Sequence, residues 1–298
     1  MIEDEISDFT GALQFERAMS ENTCQAYYRD LRRFAQFLKS RGIDDARSVE
    51  RSHIADFLGE ERGAGMASST RMRRTAAIRM FFRFLRERRR VSSDPTDLLD
   101  TPKRELVLPR VLSEEEVGEM IDAVSGTEPR ELRDRAMLEV LYGAGLRVSE
   151  LCDLQMDDII GDGELLRVIG KGSKERVVPI GHGAGNALNA YFASGRGAFA
   201  HGSGYETHVF LTRLGRPFTR QGVFKVIRER AAAVGIAADR ISPHVMRHSF
   251  ASHMLRHGAD IRAIQELLGH ADIGTTQIYT HVDDLHLGEV HRKYHPRA

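Results

Sequence analysis

Between Thr101 and Leu112 the stretch TPKRELVLPRVL changes the texture of the chain, and that change restricts the available folds more than any other feature. Pro102 and Pro109 stand in a segment with little periodicity, which suits an extended linker. Before it the pattern is helical throughout. An apolar-periodic run covers roughly Ile6 to Met19, and SENTCQAYYRDLRRFAQFLKSRG follows, with Ser20 or Asn22 placed to cap its start and Gly42 to end it. A third segment spans about Ser48 to Glu61, and a fourth opens after Ser68, Ser69 and Thr70. Four short helices make a bundle. The boundary is expected near Val107, dividing a helical domain at 1–106 from a second domain at 107–298, and 298 residues suffice for two cores of ordinary size.

Beyond the linker the signals are mixed. Ser113 with Glu116 has the form of a capping box, predicting a helix over VGEMIDAV. A second helix is expected from Glu131 to Tyr142 and a third over LRVSELCDL, after the break at Gly143 and Gly145. ELLRVIG and ERVVPIG are short, β-branched and separated by KGSK, so they predict a hairpin, and His208 to Thr212 predicts one more strand. Thr219, Ser242 with Pro243, and Asp260 mark helix starts towards the end. The expected class is mainly α with a small β-hairpin or sheet, in two domains.

Lys plus Arg equals Asp plus Glu, so the whole-chain charge shows no basic footprint. Its distribution does. RMRRTAAIRMFFRFLRERRR, Arg71 to Arg90, holds nine arginines and one acid, Glu87. Arg79, Arg83, Arg86 and Arg90 recur at helical spacing, while Ile78, Phe81, Phe82 and Leu85 mark a separate apolar stripe. A merely solvated face normally mixes signs, so this one points to a polyanion partner, with Arg71, Arg74, Arg79, Arg83, Arg86 and Arg90 as its candidate contacts. Cys24 and Cys152 are too few for a disulfide framework or a thiolate metal site, and are expected as core thiols. The acidic start MIEDEISDF and the lack of a run of 18 or more apolar residues predict a cytoplasmic protein without a membrane partner.

Several residues can carry chemistry. His244 and Arg247 lie one helical turn apart, placing a proton-transfer group beside a planar donor fork suited to phosphate or carboxylate. Zinc competes for the histidines, since His244 and His248 are four apart, as are His253 and His257, and nine of the thirteen histidines lie from His244 onward. Val245, however, stands where the metalloprotease pattern needs Glu. GKGSK lacks the spacing of a phosphate-binding P-loop, and no G-x-S-x-G occurs. Tyr279, in LLGHADIGTTQIYTH, would by itself be a packing or rim residue.

Taken in order, GLRVSEL, VIGKGSKERVVPIG, SPHVMRHSFASHML and LLGHADIGTTQIYTHV resemble the active-site boxes of the tyrosine recombinase (phage integrase) family. With NTCQAYYRDL near the start, the likeness covers the whole chain and is nearest to the members that resolve chromosome dimers. It implies a SAM-like helical core-binding domain and a mixed α/β catalytic domain closing as a C-shaped clamp on double-stranded DNA, with the arginine-rich helix near or in the major groove. The catalytic set implied is Arg147, Lys171, His244, Arg247, His270 and Tyr279, with no cofactor and no metal. Implied partners are a dif-like DNA site, a paralogous recombinase in a cyclic tetramer around a Holliday junction, and a cell-division DNA translocase. The segment DDLHLGEVHRKYHPRA is expected to dock on a neighbouring protomer.

Such a set makes chemical sense. Arg147 and Arg247 can offer forks to the non-bridging oxygens of a phosphodiester, and His270 a further hydrogen bond, offsetting charge that grows in the transition state. Tyr279 would attack with His244 as base, and Lys171 would protonate the departing 5′ oxygen. The 3′-phosphotyrosyl bond keeps enough bond energy for a 5′ hydroxyl to reverse the step without ATP. Glu150 either orients Arg147 or belongs to a helix surface. Lys174 and Arg176 are expected to face phosphate or solvent, His248 and His253 to pack or cap, and His281 to point away from Tyr279. Three other readings stay open: a phage or integron integrase, a DNA-binding architectural protein that no longer cuts, and a metal-dependent hydrolase.

Overall fold

A computed structural model of the chain describes residues 1–16, 19–97, 99, 111–170, 175–202, 204–269 and 281–298. The chain divides into two compact units, Met1–Val107 and Leu108–Ala298.

The first unit contains α1 (Ile2–Phe15), α2 (Glu21–Ser40), α3 (Arg51–Gly63) and α4 (Ser68–Glu87). Helix α1 starts before the expected Ile6 because Glu3, Asp4 and Glu5 occupy its first turn, where the helix dipole favours carboxylates although they add nothing to an apolar pattern. Ser20 caps α2 as its position predicts, accepting from the Thr23 N–H at 3.3 Å. Ile6, Phe9 and Leu13 of α1 are buried with Leu31, Phe34 and Leu38 of α2, Phe57 of α3, and Phe81, Phe82 and Leu85 of α4. Phe9 meets Phe81 nearly edge-on, with ring centroids 5.7 Å apart. Helix α4 already includes Ser68 to Thr70 and ends at Glu87, so Arg90 lies beyond it, past Arg89 at φ 54°. The expected four-membered arginine face is therefore shorter, because the chain leaves the helix before its last member.

The second unit is built around α6 (Pro129–Gly143), which follows α5 (Glu114–Asp122). Ser113 and Glu116 form the expected capping box on α5, with bonds of 3.1 and 2.9 Å. Every residue of α6 from Ala136 to Gly143 is buried, so the second half of this helix has no solvent face. The chain continues through α7 (Val148–Asp153), β1 (Ile159–Ile160), β2 (Leu165–Ile169) and β3 (Glu175–Pro179), the strands forming an antiparallel sheet in that order. Leu166 pairs with Val178 and Val168 with Arg176, which sets the inward face. His208 to Thr212 is not the strand expected from its sequence. Its residues form isolated bridges, His208 with Gln155 and Leu211 with Pro217, and the apolar run Val209 to Leu211 is buried without a ladder.

Helix α8 (Gly181–Ser194) then packs on α6. Its glycines allow the approach: a Cβ on Gly183 would lie 3.0 Å from the Glu139 carboxylate. The remaining elements are α9 (Arg220–Ala233), α10 (Pro243–Arg256), α11 (Ile261–Leu268) and α12 (His281–Tyr294). Thr219, Ser242 and Asp260 cap α9, α10 and α11 as predicted. No helix among the described residues is long and apolar enough to cross a membrane.

The C-terminal segment contributes to the core of the second unit. Its last twelve residues, Leu287–Ala298, are packed into their own unit. Leu287 and His291 are buried, His291 Nε2 donates to the Gly143 carbonyl at 2.7 Å, and the His291 and His295 rings stack at 4.7 Å. Arg297 then reaches Glu139 at 2.6 Å and Asp122 at 3.0 Å. His253 packs as expected, bonded to the Tyr142 hydroxyl at 2.7 Å and the Leu112 carbonyl at 2.9 Å.

Candidate active site

One turn and one helix end bring distant arginines together. After α6 the backbone reverses at Gly145, whose φ of +56° and whose missing side chain are both required, since a Cβ there would lie 2.6 Å from the Phe250 ring. The reversal delivers Arg147 to the N-cap position of α7. Glu150, one turn later, accepts the Arg147 backbone N–H on Oε2 at 2.8 Å and the Arg147 Nη1 on Oε1 at 2.7 Å. Glu150 is thus buried behind Arg147 and orients it, resolving the two roles its sequence position allowed.

Arg247 approaches from α10, one turn after the exposed His244. Its Nη1 donates to the Gly145 carbonyl at 2.6 Å, and its Nη2 donates to the Leu268 carbonyl. The second contact belongs to a set. A helix leaves its last carbonyls without intrahelical partners. At the C-terminus of α11, closed by Gly269 at φ +63°, Gln265 and Glu266 accept the Gly269 N–H. The next three carbonyls each take a guanidinium: Leu267 from Arg176 at 3.1 Å, Leu268 from Arg247, and Gly269 from Arg147 at 3.0 Å. The negative end of the helix dipole adds to the attraction.

Arg176 is the residue whose sequence reading the structure corrects. It was expected to face phosphate or solvent, yet it is only 5% exposed and grips Glu150 with both terminal nitrogens, at 2.8 and 2.9 Å. The signal was present in the strand phase: Arg176 alternates with Val177 and shares the inward face with Val178.

Three arginines and one glutamate leave a formal charge of +2 in this cluster. Burial pushes the Glu150 carboxyl up, but hydrogen bonds and charge from Arg176, then bonds from Arg147, reverse that and hold it below the usual range. Burial and the like charge of Arg147 pull Arg247 down to about 10, so it stays protonated at neutral pH. A guanidinium has five N–H donors, and the contacts named use two on Arg147 and two on Arg247, leaving others for an anionic ligand. The arrangement can therefore receive an oxyanion between two oriented forks.

Of the sequence candidates, Arg147 and Arg247 are brought together and His244 lies on the helix that carries Arg247. Lys171, His270 and Tyr279 lie outside the described residues, as does Lys174. His270 directly follows Gly269 in the sequence. Among the described residues no group of three or more His, Cys, Asp or Glu is arranged to hold a metal ion.

The six candidate DNA contacts in the other unit differ in their engagements. Arg83 is exposed and has no ion-pair partner among the described residues. Arg86 pairs with Asp97 at 3.0 Å and Arg90 with Asp8 at 2.8 Å, partly exposed pairs of the kind that are readily exchanged for a phosphate. Arg71 Nε donates to the Met66 carbonyl at 3.2 Å, and Arg79 donates to the Leu99 carbonyl. Arg74 points inward, bonding the buried Asp30 at 3.1 Å and pairing with the buried Glu61, a network that Arg73 joins at 2.7 Å.

Comparisons with known proteins agree on a kinship. The phage integrase family model matches residues 110–286, and the model of the phage integrase N-terminal SAM-like domain matches residues 6–89. Tyrosine recombinase XerD of Listeria monocytogenes serotype 4b (strain F2365) is 42% identical over 296 residues, covering 99% of both chains. XerD of Haemophilus ducreyi is 40% identical over 295 residues, 98% of each. Among solved structures, XerH recombinase bound to a palindromic difH substrate, in a post-cleavage complex, matches at TM-score 0.72 and 20% identity, covering 95% of this chain and 83% of that one. A lambda integrase tetramer bound to a Holliday junction matches at TM-score 0.66 and 17% identity, covering 93% and 80%. At these identities the structural matches establish likeness of fold.

Proposed function

The chain belongs to the phage integrase family, as a site-specific tyrosine recombinase related to XerD, and from that premise we propose that its active site is assembled from Arg147, Lys171, His244, Arg247, His270 and Tyr279. The observation that carries this is the convergence of Arg147 and Arg247 on consecutive carbonyls at the end of α11, next in sequence to His270. Two forks with spare donors and a net positive charge suit the non-bridging oxygens of a scissile phosphate, where charge grows as the fifth bond forms. His270 adds a hydrogen bond to the same oxygens. A tyrosine hydroxyl is protonated at neutral pH, so Tyr279 needs a base, and His244, on the helix of Arg247, is the imidazole assigned to it. Lys171, from the segment joining β2 and β3, protonates the leaving 5′ oxygen. The product is a 3′-phosphotyrosyl enzyme and a free 5′ hydroxyl.

The finer biological reading follows the XerD relatives, which match over nearly the full chain. The substrate is a dif-like site in double-stranded DNA, exchanged in a cyclic tetramer with a paralogous recombinase, under a cell-division DNA translocase, in the cytoplasm. Arg71, Arg79, Arg83, Arg86 and Arg90 are the N-terminal contacts to the phosphate backbone; Arg74 supports them from inside the bundle. The test is a nicked suicide duplex carrying such a site, incubated with chelator, with and without a paralogue. Wild type should give a denaturation-resistant adduct and Tyr279→Phe none; binding without an adduct in every wild-type lane would favour a DNA-binding protein that does not cut.

A further inference from the structure

We propose that Arg176 is a positioning residue of the recombination site, locking Glu150 and the last turn of α11 into one frame and so fixing the direction of the Arg147 fork. The inference rests on the assignment of Arg147 to the scissile phosphate. Both partners that orient Arg147 are held by Arg176. Glu150, which accepts Arg147 Nη1, is clasped by both terminal nitrogens of Arg176 at 2.8 and 2.9 Å. The turn whose Gly269 carbonyl accepts Arg147 Nη2 is tied by the third nitrogen, Nε, to the Leu267 carbonyl at 3.1 Å.

The Arg176 stem also fills the space over that turn, since a Cβ on Gly269 would lie 3.1 Å from Arg176 Cδ. All three guanidinium nitrogens are spent on protein, and the side chain is only 5% exposed, so Arg176 acts through Arg147 and not on DNA. A lysine at this position keeps a charge but cannot span two carboxylate oxygens and a carbonyl at once. Without Arg176, the bonds and charge that most strongly oppose the desolvation of Glu150 disappear, so its carboxyl moves up towards protonation.

The test compares full-length wild type, Arg176→Met, Arg176→Lys and Tyr279→Phe on the suicide duplex at saturating DNA, with either a phosphate or a neutral methylphosphonate at the scissile position. A methylphosphonate bears no charge for the arginines to neutralise, so it makes less demand on their aim. Arg176→Met should bind the duplex as wild type does and form adduct about 100-fold more slowly on phosphate, the cost typical of a misplaced reacting group. Relative to wild type on the same linkage, that deficit should shrink to less than about tenfold on methylphosphonate. Arg176→Lys should lie between, with its acid limb of adduct formation moved to higher pH. Equal deficits on both linkages, or no deficit on phosphate, would overturn the proposal; if Arg176→Met does not fold, the ratio for Arg176→Lys decides. Adduct formation by Tyr279→Phe would instead overturn the underlying assignment of the nucleophile.

Discussion

Acidification should loosen the C-terminal segment, and His291 sets the scale. Its ring is buried between α6 and α10, with Nε2 donating to Gly143 and its face on the His295 ring; Phe250 of α10 also stacks on it. The charged neighbours are unfavourable to an imidazolium: Arg292 adds like charge, and the ion pairs of Arg297 with Glu139 and Asp122 are already satisfied. Burial therefore pulls His291 down from 6.5 to about 4, with the Gly143 bond opposing and Arg292 assisting. The folded state binds its proton less readily than the unfolded chain. The stabilising contribution is complete above the unfolded value and falls as pH drops from about 6.5 towards 4. At pH 5 the loss from this residue is about 2 kcal/mol, rising towards about 3 near pH 4, at about 1.4 kcal/mol per pH unit. His295 and His253 are lowered in the same direction, chiefly by burial, and add to the effect. The assay is urea unfolding of wild type and His291→Gln at pH 7.5 and 5.0, with hydrogen exchange read over 287–298. The glutamine keeps a donor without titrating, so its loss of stability on acidification should be about 2 kcal/mol smaller than that of wild type. Equal losses in the two proteins would refute the reasoning.

Arg247→Lys keeps the charge and loses the fork that spans Gly145 and Leu268; adduct formation at saturating DNA should fall by about 100-fold or more, with duplex affinity retained in gel shifts. Gly145→Ala forces a side chain into a left-handed backbone and against Phe250, and should destabilise the C-terminal unit by at least about 1–3 kcal/mol in urea unfolding. Arg74→Ala leaves the buried Glu61 with only the distant Arg33 at 3.7 Å, while Asp30 keeps Arg73, and should cost about 1–3 kcal/mol of N-terminal stability. Arg83→Ala should leave unfolding unchanged and lower the slope of log affinity against log salt by about 1.

What the sequence makes legible is chemistry that acts locally. Ser20, Ser113, Thr219, Ser242 and Asp260 each announce a helix start, because a cap is satisfied within three residues. Helix α8 is hidden because its first residues include Gly181, Gly183 and Gly185, poor helix formers whose use appears only against the C-terminal segment, α6 and the Gly163 carbonyl. The arginine count of α4 is visible but its direction is not: Arg74 and Arg83 belong to the same run, and only the bundle turns one inward and the other out. Arg147 and Arg247 stand a hundred residues apart, and only the likeness of their surrounding motifs pairs them before the structure does. Glu150 shows three-residue spacing to Arg147, yet its burial depends on Arg176 from a strand that spacing cannot bring near.

Attack by Tyr279 on a phosphate gripped by Arg147 and Arg247 is the step on which the proposed function turns. It is met most directly by trapping the adduct on a suicide duplex, digesting with trypsin and nuclease, and identifying the nucleotide-bearing peptide by mass spectrometry. The modified residue should be Tyr279, joined to a 3′ phosphate, and the released strand should end in a 5′ hydroxyl. A nucleotide on any other residue, or a 5′-phosphate linkage, would contradict it.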